Sequence, residues 1–277
     1  MVENESLAAR AGWAVRSWWL IAAMWGRSML TYRTSFVLSL AANTLITFLD
    51  FGVVILMFRH TRELAGWTLP ETGFLYGTSS VALGAANFLV GSVSGLGERV
   101  RSGTLDTMLI RPAPALAQLA AERFSLRRIG RLAQALAVLG WAVTALDVRW
   151  TWDRVLMVPG LLLCGAVIFC AVFVGCSCVQ FWWGDAAELQ NSVTYGGGAL
   201  LQYPPTVFAK EVVAGTVFGV PLAFVNWLPA LHILGRPDPL GLPVAFQFAS
   251  PAAAALCVLA AGLAWRAGLR AYRSTGS

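Results

Sequence analysis

Long apolar runs alternate with short charged segments along this chain, and the pattern predicts membrane-spanning helices. A bilayer core of about 30 Å needs roughly 20 mostly apolar residues per helix, so the distances between charged residues measure the candidate spans. Five spans follow from these distances, at about 34–58, 72–96, 127–147, 155–183 and 244–266. The composition agrees, because 57% of the residues are hydrophobic, only 12% are charged and the mean hydropathy is +0.66. We therefore expect an all-α polytopic membrane protein.

The region 189–235 is ambiguous, because two apolar runs on either side of a Lys-Glu pair could form one span or two. The positive-inside rule distinguishes these topologies. Segment 97–131 holds seven arginines against three acidic residues, so it is expected in the cytoplasm together with the arginine-rich N-terminus. Six spans keep the arginine-rich C-terminal tail on that side, whereas seven would place it outside. We therefore expect a fifth span at 189–208, an outer re-entrant hairpin at 212–235, and both termini in the cytoplasm.

The N-terminal segment 7–32 is predicted to be an amphipathic helix at the inner membrane surface. It contains the stretch WAVRSWWLIAAMWGR, in which four tryptophans are interleaved with arginine. Tryptophan rings favour the headgroup region, and guanidinium groups favour lipid phosphates. Two interpretations stay open, a plain membrane anchor and a lever that moves with a transport domain.

The residue inventory argues against several chemistries. The single lysine, Lys210, is followed by glutamate, so the chain has no GxxxxGK[ST] phosphate loop. The two histidines, His60 and His232, stand far apart and no HExxH motif occurs. All five cysteines fall within predicted spans, where they are expected to pack as small apolar residues. We expect no catalytic residue, no metal site, no cofactor in this chain and no nucleic-acid partner, which leaves transport.

The charged segment 97–114, GERVRSGTLDTMLIRPAP, is predicted to project from the membrane as a short rigid helix. Thr104 can cap this helix, and Asp106 in its first turn suits a helix N-terminus. The apolar stripe comprises Leu105, Met108 and Leu109, and the following Arg-Pro pair ends the helix. Such a helix could insert into a groove on another protein, or it could lie on the membrane with its arginines on anionic lipid.

The segment GERVRSGTLDTMLIRPAPALAQLAAERFSLRRIGRL resembles the cytoplasmic loop of the permease subunits of type-2 ABC exporters, in a branch that carries a G-x-LD-x-x-L-x-RP signature. The signature residues here are Gly103, Leu105, Asp106, Leu109, Arg111 and Pro112. The later runs LLQYPPTVF and GVPLAFVNWLPA are similar to the Tyr-Pro pair and apolar hairpin of that branch. The resemblance implies a six-span half-transporter in a bacterial plasma membrane, with a coupling helix between spans two and three.

The same resemblance implies the partners and the mechanism. A complete transporter would contain two copies of a separate ABC ATPase, which hold ATP and Mg, and a second permease that is identical or related, all within membrane lipid. The cargo would be hydrophobic or amphipathic, as in multidrug or lipid efflux. An ATP-independent carrier or channel is the alternative, and a membrane scaffold or intramembrane enzyme is a third possibility. The ATPase-coupling candidates are Glu98, Arg99, Arg101, Gly103, Thr104, Leu105, Asp106, Met108, Leu109, Arg111 and Pro112.

Polar residues within the predicted spans are candidates for the translocation path, because polar groups in a bilayer usually face a partner or a cavity. These candidates are Asn43, Asp50, Asn87, Asn191, Tyr195 and Tyr203. Asp50 is expected near the outer face, where contact with interfacial water is the alternative to a transport role. Asp185 and Glu188, between spans four and five, could pair with arginines of the loop or of the ATPase, or form a solvated acidic turn.

Overall fold

The computed structural model describes residues 7–31, 33–61, 63–122, 128–184 and 186–273, and most of them are helical. The α-helices are α1 (Leu7–Thr31), α2 (Arg33–His60), α3 (Leu69–Val90), α4 (Leu96–Arg101), α5 (Thr104–Leu109), α6 (Ala115–Ala121), α7 (Arg128–Ala145), α8 (Trp152–Cys178), α9 (Ala187–Asn191), α10 (Gly197–Leu201), α11 (Lys210–Ala214), α12 (Trp227–Leu234) and α13 (Ser250–Ala271). Short 3-10 segments lie at Gly91–Gly95, Val179–Phe181, Pro205–Val207, Leu222–Phe224 and Val244–Phe248, and π-helical segments lie at Ser192–Gly196 and Gly215–Gly219. The described ranges contain no β-strand, so the all-α prediction is confirmed for them.

Three helical stretches are long and apolar enough to cross a bilayer. They are Leu69–Arg101, Trp152–Phe181 and Ser250–Ala271, and they correspond to predicted spans two, four and six. The last helix begins six residues later than the predicted start at 244, because a 3-10 segment follows Pro243. A fourth candidate consists of two helical pieces, Lys210–Gly219 and Leu222–Leu234, which meet at 85° beside Pro221. This bend fits either a broken span or the predicted re-entrant hairpin.

The other predicted spans coincide with helical segments of less regular form. Helix α2 covers 34–58, and α7 covers all but the ends of 127–147. The fifth segment consists of α9, a π-helical turn and α10, and its helix ends at Leu201 rather than 208. Pro204 and Pro205 follow this end, and proline cannot continue the hydrogen bonding of a helix. The six-span topology stays a prediction, as does the membrane-surface position of α1.

A seam of glycines brings α3 and α7 into close contact. Gly73 and Gly77 are four residues apart on α3, in the small-xxx-small pattern that lets membrane helices approach closely. A Cβ atom placed on Gly77 would lie 2.8 Å from the Cα of Leu139, and one placed on Gly73 would lie 2.9 Å from the Trp141 ring. The two backbones can therefore meet only because these side chains are absent.

Replacing Gly77 by alanine is expected to destabilise the fold by about 1–3 kcal/mol, the usual cost of overpacking. Thermal unfolding in mild detergent would measure the effect. Gly140→Ala on α7 is the matched control, since no heavy atom lies within 4 Å of its added methyl group. Equal melting temperatures for the two variants would contradict this description of the seam.

Contacts between distant segments define two ends of the helix bundle. At one end, the Trp13 indole donates to the carbonyl oxygen of Pro112 at 2.9 Å, which joins α1 to the charged loop. At the other end, the Arg236 guanidinium forms a two-point ion pair with Glu71, with Nε–Oε1 and Nη2–Oε2 distances of 2.8 and 2.7 Å. The end of α13 lies beside the loop as well, because Tyr272 packs in the same cluster as Leu105.

Asn226 fastens the hairpin to the bundle. Its side chain is fully buried, and its Nδ2 donates to the carbonyl oxygens of Leu75 and Leu201, both at 3.0 Å. One amide group thus ties the start of α12 to α3 and to the end of α10. The sequence alone indicates no role for this residue.

Candidate functional site

The predicted coupling segment 97–114 folds as α4, a tight turn, α5 and an extended Arg-Pro stretch. Gly103 is the residue before α5 and has a φ of 67°, a left-handed conformation that favours glycine. Thr104 is the first residue of the helix, so the prediction that it caps the helix is wrong. Its hydroxyl instead accepts a hydrogen bond from Arg99 at 3.2 Å. Asp106 does lie in the first turn, and α5 ends before the Arg-Pro pair, as predicted.

The two faces of α5 have different surroundings. Leu105 and Met108 are buried against α4, α6, α8 and the preceding 3-10 turn. Leu109, which the sequence placed on the same stripe, is 43% exposed, and the next residue, Ile110, is 85% exposed. The C-terminal turn of α5 is thus covered on the side of Met108 only. The segment therefore presents a small apolar tip on a helix that is anchored by its other face.

Polar contacts hold the segment on both sides of this tip. Gln118, which is buried on α6, donates from Nε2 to the carbonyl oxygens of Met108 at 2.9 Å and Ala113 at 2.8 Å. The first of these oxygens belongs to the last turn of α5, where helix carbonyls lack intrahelical partners. Arg99 forms an ion pair with Glu122 at the end of α6. Both contacts fix the loop against the bundle, and Gln118 was missed because it stands in an apolar run.

The ends of the chain contact the segment as well. Besides the bond from Trp13 to the loop, the Trp18 indole donates to the carbonyl oxygen of Leu89 at 2.9 Å. Helix α1 therefore contacts both the loop and the end of α3. On the other side, burial, and after it the Asp106 carboxylate, raise the pKa of the Tyr272 phenol above its ordinary value. Tyr272 also packs against Phe181 at the end of α8, with ring centroids 6.4 Å apart.

A buried polar network links the loop to the start of the fifth segment. The backbone N–H of Gly97 donates to Gln180 Oε1 at 2.6 Å, and Gln180 Nε2 donates to Gln190 Oε1 at 3.3 Å. Ser177 completes the set by donating to the same Gln190 oxygen at 2.7 Å. All three side chains are at most 1% exposed. These residues were not predicted, because a single glutamine in an apolar run carries no periodic signal.

The loop also lies against the chain that follows α8. Arg101 donates to the carbonyl oxygen of Gly184, and a side chain at Gly97 would collide with that same oxygen. The loop, the end of α8 and α9 are thus packed as one unit at this end of the bundle.

A second candidate site is a cavity of about 490 Å³ between α2, α3, α7 and the fifth segment. Three of the predicted path residues line it, namely Asp50, Tyr195 and Tyr203. Tyr195 stands in a π-helical turn, a feature often found at functional sites. Its hydroxyl accepts a hydrogen bond from Asn87 Nδ2 at 2.5 Å. Four predicted residues are therefore brought together around one cavity.

Further lining residues were not predicted as path residues. They are Val53, Tyr76, Ser80, Leu83, Arg131, Gln134, Ala199 and Gln202. Arg131 was counted only among the arginines of segment 97–131, since the sequence does not show what its side chain contacts. The remaining candidates lie elsewhere: Asn191 is half-buried without lining the cavity, and Glu188 is exposed in the first turn of α9. The side chain of Asn43 and the whole of Asp185 lie outside the described residues.

Comparison with known proteins identifies the family. A family model described as ABC-2 family transporter protein matches residues 44–276, which is most of the chain. No curated protein and no solved structure gives a match. Together with the apolar spans, this match makes the chain a multi-pass membrane protein and a permease that associates with an ABC ATPase. The chain belongs to the ABC-2 family of transporters.

Proposed function

We propose that the chain is the membrane-spanning subunit of an ATP-driven exporter in a bacterial plasma membrane, with six spans and both termini in the cytoplasm. Two copies of a separate ATPase would bind ATP and Mg, and a second permease, identical or related, would complete the path. The chain itself supplies no catalytic residue. Outward transport of a hydrophobic or amphipathic substrate is inferred from the resemblance to type-2 exporters of the G-x-LD-x-x-L-x-RP branch.

The observation that carries the proposal is the exposed tip of α5. Leu109 and Ile110 project from a helix whose Leu105 and Met108 are fixed in the bundle. An exposed apolar pair on a rigid support suits a groove on a partner protein, because little side-chain or backbone order must be gained on docking. The arginine beside the tip, Arg111, is exposed and can meet an acidic group at the rim of such a groove.

In the proposed mechanism, the buried polar network of Gly97, Gln180 and Gln190 carries the motion of the ATPases into the membrane. Closure of the ATPases on ATP would push the loop, and Gly97 would pass the displacement through Gln180 to Gln190 on α9. Such a route works only if ATP binds better to one state of the ATPases and the docked loop ties that state to one conformation of the spans. The close packing of the loop, the end of α8 and α9 favours transmission of this displacement as a rigid body, since close-packed interiors transmit strain.

Substitution of both tip residues tests the docking surface. Leu109→Ser with Ile110→Ser is expected to reduce the ATPase activity that copurifies with the tagged permease by more than about tenfold, as for apolar residues at the centre of an interface. The protein should stay folded, since neither side chain is buried in the bundle. Ile129→Ser is the matched control, because Ile129 is 45% exposed near the start of α7 but lies outside segment 97–114.

Two outcomes would count against the proposal. If the tip variant recovers as much ATPase as wild type, α5 is not the docking element. If folded wild-type protein recovers no ATPase in several mild detergents, an ATP-independent carrier becomes the better description.

A further inference from the structure

Two charges of opposite sign face the cavity between α2, α3, α7 and the fifth segment. Asp50 on α2 and Arg131 on α7 both line it. Among the described residues, neither side chain takes part in an ion pair. Both are exposed in the single chain, so the cavity opens to the side of the bundle. An ionisable side chain within a membrane segment is costly, and such groups usually mark a substrate or ion pathway.

The two charges lie at different depths along α3. The Phe51 ring, next to Asp50, lies 5.0 Å from the Tyr76 ring, whereas Leu132, next to Arg131, packs against Gly84. Tyr76 and Gly84 are eight residues apart, which is about 12 Å along a helix. The cavity is thus acidic near the level of Tyr76 and basic towards the loop end.

Aromatic residues are concentrated at the same cavity. Three of the five tyrosines of the chain line it, namely Tyr76, Tyr195 and Tyr203. Tyr195 is held in place by Asn87 and by an edge contact with Phe173, with ring centroids 5.8 Å apart. A tyrosine ring beside a carboxylate attracts organic cations, and quaternary ammonium groups above all, and Tyr76 lies at the level of Asp50. The remaining wall includes Val53, Leu83 and Ala199, which can contact an apolar chain.

We infer that this cavity binds the zwitterionic head of an amphipathic substrate, with the cationic group between Asp50 and Tyr76 and the anionic group at Arg131. The volume of about 490 Å³ falls within the range of small-molecule sites. The inference rests on the proposed transport function, for which it names the substrate class. A bound zwitterion satisfies both charges at once, whereas a purely cationic or anionic amphiphile leaves one of them unpaired.

Equilibrium binding of labelled amphiphiles to the full-length protein in alkyl maltoside detergent would test the inference. The probes share one alkyl chain and carry a phosphocholine, trimethylammonium or phosphate head. The phosphocholine probe is expected to bind most tightly. Asp50→Asn should weaken phosphocholine and trimethylammonium binding about tenfold or more and leave the phosphate probe unchanged, while Arg131→Gln should weaken phosphocholine and phosphate binding only.

Arg59→Gln is the control, because Arg59 is an exposed cation on the same helix as Asp50 but does not line the cavity. Phosphocholine without a chain separates two sources of the zwitterion. Weaker binding than that of the amphiphile supports a lipid-like substrate, and equal binding supports a soluble zwitterion in the same site.

Two results would overturn the inference. One is that wild-type protein binds the probes with the three different heads equally tightly. The other is loss of permease dimers in both single variants and their recovery in the Asp50→Arg, Arg131→Asp double variant, which would show that the two charges pair across two chains. Neither result depends on the ATPase. The docking proposal for α5 can therefore be correct when the inferred substrate class is wrong, and the substrate class can be correct when the docking proposal is wrong.

Discussion

Replacing Asn226 by aspartate is expected to abolish the native fold in most of the purified protein. The amide of Asn226 is fully buried and donates to two backbone carbonyl oxygens, those of Leu75 and Leu201. A carboxylate of the same shape has no hydrogen to donate and would face both oxygens with a negative charge. An uncompensated buried charge typically costs about 3–5 kcal/mol, which is a large part of the stability of a domain.

The expected effect of Asn226→Asp is a collapse of yield and a melting temperature well below that of wild type, measured by size-exclusion chromatography and thermal unfolding in detergent. Asn191→Asp makes the same chemical change at a half-buried position and should be tolerated. Low pH gives a further check, since protonation returns a donor to the aspartate and should recover part of the lost stability. A native-like melting temperature for Asn226→Asp at neutral pH would show that the hairpin is not fastened at this residue.

The sequence predicted best the elements whose limits are set by charges, glycines and prolines. The second and fourth spans are long uncharged runs, so the helices from Leu69 and Trp152 follow from hydropathy alone. Helix α5 lies between Gly103 and the Arg-Pro pair, and both boundaries have a local backbone cause. Local chemistry of this kind does not depend on the rest of the fold.

Contacts between distant segments could not be predicted in this way. Leu109 fits the apolar spacing of Leu105 and Met108, yet it is exposed, because the packing of neighbouring segments and not the periodicity decides which positions of a helix are covered. The sequence shows Arg131 only as an arginine near the start of the third predicted span, and packing beside α2 and α3 places it at a cavity with Asp50. Gln180 likewise acquires a role only through Gly97, which is 83 residues away in the chain.

The same long-range contact leads to the second large effect, loss of coupling in Gln180→Leu. Leucine removes the acceptor for the Gly97 N–H and the donor for Gln190, so the loop and α9 lose their shared polar link. Because Leu109 and Ile110 are untouched, the ATPase should still copurify at the wild-type level. ATP-driven transport is expected to fall at least tenfold, while stability falls by only about 1–3 kcal/mol for the unsatisfied groups.

Hydrogen exchange of the assembled transporter, with and without a trapped ATP state, would separate these effects. In wild type, trapping should change the exchange of both 97–111 and 187–201, whereas in Gln180→Leu the change should be confined to the loop. Gln247→Leu provides the control, since Gln247 lies before α13, at the end of that helix away from the loop. A change in 187–201 of wild-type size in Gln180→Leu would mean that the loop drives the fifth segment by another route. The aromatic cluster of Phe181, Trp265 and Tyr272 would then be the next contact to alter, because it joins the ends of α8 and α13 beside Asp106.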